Sequence, residues 1–123
     1  MVRKSKVPES IYEVPENGLL LAQVFSLKCL VDYSPDAVVS RVIQENEGGN
    51  ITIFAFAEGQ GLSEHSAPYD AVVQILDGTA EVTIDGVPHD LAKGRIIIMP
   101  ANVPHALRAV TRFKMILTMI RKG

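Results

Sequence analysis

The chain reads as an all-β domain of the sandwich or barrel type, and three features of the sequence predict this. From Val38 onward, short apolar runs rich in Val, Ile, Thr and Phe alternate with Gly-bearing turns. These turns fall at Gly48-Gly49, Gly59 to Gly61, Asp77-Gly78, Asp85-Gly86 and Lys93-Gly94. Ala80, Val82 and Ile84 alternate with Glu81, Thr83 and Asp85, the period of two that buries one face of a strand and wets the other. The length of 123 residues, with 47% hydrophobic and 21% charged residues, suits one globular core.

The elements follow in order. Residues 1–18 carry three basic residues, three Glu and two Pro without a sustained period, and read as an arm or a first extended segment. Leu19 to Tyr33 mixes helical and strand spacing until Ser34-Pro35 stops it, so a short strand and a helical turn both fit. The division expected is residues 1–37 as an N-terminal segment packing on the barrel or on a partner subunit, and residues 38–123 as the β-barrel. Within the barrel, Ile51 to Ala57 has two apolar faces, with Ile51 and Ile53 on one and Phe54 and Phe56 on the other. Ile96 to Met99 is also two-faced. So is Phe113 to Ile120, where Phe113, Met115, Leu117 and Met119 oppose Ile116 and Ile120. Three such strands need more cover than a small β-domain supplies, which predicts a homodimer over the outer faces. The alternative is the N-terminal segment folded over the same surface.

Composition removes several function classes. Twelve Lys and Arg against fourteen Asp and Glu give a net charge of −2, too balanced for affinity based on phosphate neutralisation, so nucleic acid is not an expected partner. No apolar run approaches the ~20 residues of a membrane span. No apolar h-region follows Arg3, Lys4 and Lys6, and Cys29 is alone, so a soluble cytoplasmic protein is expected. Arg41, Arg95, Arg108 and Arg112 are scattered and read as solvated, and no Gly-rich phosphate loop is present. His89, in phase with Val87 and Leu91, reads as strand packing.

The other two histidines stand in a more specific context. The stretch from Gly59 through His65, Ala67 and Ala71 to Gly78 resembles the first motif of the cupin family, Gx5HxHx3-4Ex6G. Gly94 through Pro100, Asn102 and His105 to Ala109 resembles the second, Gx5PxGx2Hx3N. The resemblance implies a double-stranded β-helix, the jelly-roll barrel of this family, with an N-terminal extension. It also implies a metal site of His, His, Glu and His, which carries over here to His65, Ala67, Ala71 and His105. Two of those four positions cannot bind a metal, Asn102 replaces a motif glycine, and Ala109 replaces the motif asparagine. In a regular strand, residues 65 and 67 share a face, so Glu64 and Asp70 point away, unless a bulge near Pro68-Tyr69 re-aims Asp70. Gln74 has the parity of Asp70.

Two alanines beside two imidazoles predict a mostly apolar small-molecule pocket at His65 and His105. Tyr69, Val73 and Met99 are its candidate ligand-binding residues, with Ile75, Phe54 or Phe56 and Met115 as further lining. The leading expectation is binding of a small organic ligand, for sensing, sequestration or acid–base isomerisation. A second is a metal-dependent oxygenase, isomerase or decarboxylase in which His65 and His105 hold Zn, Ni, Mn or Fe. A third is a structural or partner-binding barrel.

Overall fold

The computed structural model describes residues 18–121. The expected arm over residues 1–18 lies outside the described residues except for Gly18. Nine strands form two antiparallel sheets. They are β1 (Val38–Asn46), β2 (Gly49–Phe56), β3 (Gly61–His65), β4 (Asp70–Asp77), β5 (Thr79–Ile84), β6 (Val87–Ala92), β7 (Ile96–Met99), β8 (His105–Ala109) and β9 (Phe113–Ile120). The first sheet has the order β1-β2-β9-β4-β7 and the second β3-β8-β5-β6. Apart from the β1–β2 and β5–β6 hairpins, consecutive strands cross between the sheets, which makes the expected jelly roll.

The turn chemistry explains the strand ends. Asp85 and Gly86 both adopt positive φ, 49° and 78°, in the two-residue connection between β5 and β6. This left-handed pair matches the twist of a tight hairpin. Gly78, at φ 74°, joins β4 to β5 where a Cβ would overlap the Arg112 carbonyl oxygen.

Between the sheets lies the main core, containing Phe56, Ala71, Val73, Ile75, Val82, Met99, Leu107, Phe113 and Met115 among others. Phe56 and Phe113 are register partners on β2 and β9 and stack 4.4 Å apart at 7°. The predicted alternation holds on β5, where Ala80 and Val82 are buried and Glu81 and Thr83 only half-buried.

The outer face of the first sheet has a second core. Leu30 and Val31 pack with Ile53 and Ala55, joined by Leu19, Tyr33, Val39, Ile43, Leu76 and Ile116. The chain's own segment, residues 19–33, therefore covers the outer face of β1, β2 and β9, the alternative weighed above against a partner subunit. Its form is irregular with one 3-10 turn at Leu27–Cys29. It starts with Leu19 N–H donating to Ile43 O at 2.9 Å. Cover reaches β4 at Leu76 but stops short of β7 and the end of β9, where Ile96, Ile98 and Ile120 remain 56–60% exposed.

Candidate functional site

His105 opens β8, and its side chain shares the inward face with Leu107 and Ala109, all three buried. His65 closes β3, the edge strand of the same sheet, and is directly opposite His105 in register. This alignment depends on a bulge. Leu62 pairs with Leu107 and His65 with His105, so three residue steps on β3 face two on β8. One extra residue on β3 thus lets both Leu62 and His65 reach the inward side. The bulge lies within β3, whereas Pro68 and Tyr69, where a bulge would have re-aimed Asp70, lie in the β3–β4 loop.

The loops behind the pair are tied together by short hydrogen bonds. Asn102 N–H donates to Ala67 O at 2.7 Å, and Asp85 N–H donates to Pro104 O at 2.8 Å. Asp70 Oδ1 accepts from Ala101 N–H at 2.8 Å, so this carboxylate braces the β7–β8 loop. Asn102 has φ 63°, the left-handed region where the motif has glycine, and Asn is among the side chains that enter it with least strain.

Backbone carbonyls hold both rings. His65 Nδ1 donates to Ser63 O at 2.8 Å, and His105 Nδ1 donates to Val103 O at 3.2 Å. A carbonyl oxygen only accepts, so each Nδ1 carries hydrogen and each neutral ring turns a lone pair outward at Nε2. Those two Nε2 atoms meet at 3.2 Å, with the rings edge to face at 4.4 Å between centroids. Two lone pairs at that distance repel, and one shared proton converts the contact into a hydrogen bond. Burial pushes the His105 imidazole below its ordinary value, and the neighbouring His65 charge adds to this, against a smaller opposing effect from the Val103 carbonyl. Burial therefore works against the charged form of the His105 ring.

The remaining sequence-predicted residues are placed differently. Ala67 lies beyond the end of β3, in the loop before β4, so residues 65 and 67 do not share a strand face as expected. Ala71 faces the main core opposite Met99 and Met119. Val73 and Met99 are fully buried members of that core, as are Phe56, Ile75 and Met115, with Phe54 packed against it. Tyr69 is half-buried in the β3–β4 loop, and Gln74 is exposed on the outer face. His89 is exposed on the edge strand β6 opposite Val82. Sequence reasoning missed the carbonyls of Ser63 and Val103, whose role depends on local loop geometry.

The implied metal site can be judged from its donors. Among the described residues, no group of three or more His, Cys, Asp and Glu side chains comes together. Catalytic metal sites use at least three protein ligands, and here two imidazoles converge while Ala67 and Ala71 supply none. The described residues do not fit a resident catalytic metal centre.

A family model described as a cupin domain matches residues 52–121. The chain belongs to the cupin family. Among solved structures, this cupin is similar to a conserved protein of unknown function from Streptococcus pyogenes, with 39% identity and a TM-score of 0.82 over 87% of this chain and 94% of that one. It is also similar to a cupin 2 conserved barrel domain protein from Leptotrichia buccalis, at 36% identity and a TM-score of 0.77, over 79% of this chain and 47% of that one. A curated relative, protein SchB of Streptomyces halstedii, is 39% identical over 51 residues. That match takes in 41% of this cupin and 37% of SchB.

Proposed function

We propose that this cupin binds a small organic ligand through the His65–His105 pair, without a resident metal. The observation that carries the reading is the convergence of the two Nε2 atoms at 3.2 Å with both Nδ1 atoms engaged by carbonyls. In the singly protonated pair, a ligand that inserts between the rings meets one N–H donor and one lone-pair acceptor. A carboxylic acid or enol offers the complementary acceptor and donor, and the pair is equipped to relay a proton to or from it. Met99 and Val73 support the inward strands from within the core, and Tyr69 borders the loop beside His65. The same reading holds a soluble cytoplasmic protein that associates as a homodimer through the outward Ile96, Ile98 and Ile120.

Following the histidine ring signals by NMR while benzoate or acetate is added tests the reading. Both rings should shift together and saturate, and His65→Ala should abolish saturation. Near-stoichiometric metal in protein purified without an affinity tag, lost in His65→Ala, would overturn it in favour of a metal-dependent enzyme. No saturable response to either acid would favour a structural barrel.

A further inference from the structure

The opposite end of the barrel carries a second cluster of charged groups. β8 runs from His105 to Ala109, four steps of ~3.3 Å, so more than 10 Å of strand separates the histidine end from the β8–β9 turn. There Tyr33, from the covering segment, donates its hydroxyl to Asp77 Oδ2 at 2.6 Å. The Arg112 guanidinium lies 4.3 Å from the centre of the Tyr33 ring, and Lys114 Nζ lies 4.9 Å from it. Lys114, only 9% exposed, donates to Lys28 O at 2.8 Å. Lys93 joins from the β6–β7 turn, and hydrogen bonding with Lys93 and then its positive charge hold the Lys28 amine below its ordinary range.

Four cations from three segments of the chain thus gather around Tyr33 and one carboxylate, in a protein whose formal net charge is −2. Asp77 is bound by the Tyr33 hydroxyl and stays ionised, mainly because of that bond and with help from the nearby lysines. One carboxylate neutralises one of the four positive charges. Among the described residues the sole ion pair within 4.0 Å is Arg108 with Glu81, so Lys28, Lys93, Arg112 and Lys114 have no direct carboxylate contact at that distance. Like-charged ammonium groups held side by side are destabilising, and an anion between them reverses the sign of that interaction.

The frame is also fixed. Arg112 and Lys114 are seated on the Tyr33 ring. Thr79 N–H donates to Thr111 Oγ1 at 3.0 Å, and Gly94 N–H to Ile75 O at 2.9 Å, which anchors the turns bearing Arg112 and Lys93. We propose that Lys28, Lys93 and Arg112, backed by Lys114 and Tyr33, form a binding site for a small soluble anion of the phosphate or diphosphate class. Arginine supplies planar paired donors and the two lysines supply point charges, the combination that a multiply charged phosphate group accepts. This site is separate from the histidine pair and does not depend on its ligand.

The test is thermal unfolding of the full chain with sodium pyrophosphate, against sodium chloride at equal ionic strength to remove screening effects. Pyrophosphate at tenfold over its Kd should raise Tm by about 5 °C. The Lys28→Ala/Lys93→Ala variant, altered only at exposed side chains, should lose that rise. Amide NMR on the same samples should place the pyrophosphate-induced shifts at residues 77–79, 93–95 and 111–114. An equal Tm rise in the double variant, no rise beyond the chloride control, or shifts confined to the histidine end would each overturn the proposal.

Discussion

Ile53→Ala separates a sheet covered by its own chain from one left open to solvent. Ile53 is on the outer face of β2, opposite Ile116 on β9, yet it is 0% exposed because Leu30 and Val31 lie over it. The substitution removes three buried carbons, about 2.4 kcal/mol at ~0.8 kcal/mol each, and leaves a cavity that adds to the loss. The expected cost is about 3 kcal/mol. Ile98→Ala is the matched control on the outer face of β7, where the side chain is already 56% exposed, and should cost about 1 kcal/mol or less. Urea unfolding at low micromolar protein measures both. Equal costs for the two variants would refute the covering role assigned to residues 19–33.

Two further outcomes follow from local geometry and charge. Gly78→Ala should cost about 3 kcal/mol or more, because positive φ and overlap with the Arg112 carbonyl combine. Gly86→Ala has open space and should cost only about 1 kcal/mol, and comparing their urea midpoints checks the difference. The lowered His105 value makes the unfolded chain bind the proton more readily. Its contribution to stability is therefore present above the ordinary value of 6.5 and is lost as pH falls through the lower folded value. Unfolding free energy should decline between pH 7 and pH 5, and His105→Gln should flatten that decline. Parallel profiles for the two proteins would contradict it.

Much of the barrel was legible in the sequence because its signals are local. Asp85-Gly86 specifies a tight hairpin by its own backbone preferences, and the period of two in Ala80, Val82 and Ile84 places β5 without reference to its neighbours. The motif spacings around His65 and His105 were likewise enough to bring the two rings together. What covers the two-faced β2 and β9 was harder, since Leu19 to Tyr33 adopts no repeating geometry that a periodicity could announce. The histidine alignment depends on the bulge between Leu62 and His65, and a reading by strand parity alone put Ala67 beside His65 when it lies past the strand's end. The charged cluster was invisible for a different reason. Arg112 read as solvated, but Tyr33 and Asp77 are 44 positions apart and Lys28 and Lys114 are 86 apart, so only the folded chain assembles them.

The covering segment has a mechanical consequence. β2 and β9 are sandwiched, with Phe56 and Phe113 pressed on one side and Ile53 and Ile116 on the other. Hydrocarbon on both flanks of the same two ribbons welds the N-terminal wrap to the β-roll, so peeling it away would strip support from the layer beneath. Heat should therefore dismantle wrap and roll in a single cooperative step, with no stage at which a naked roll persists.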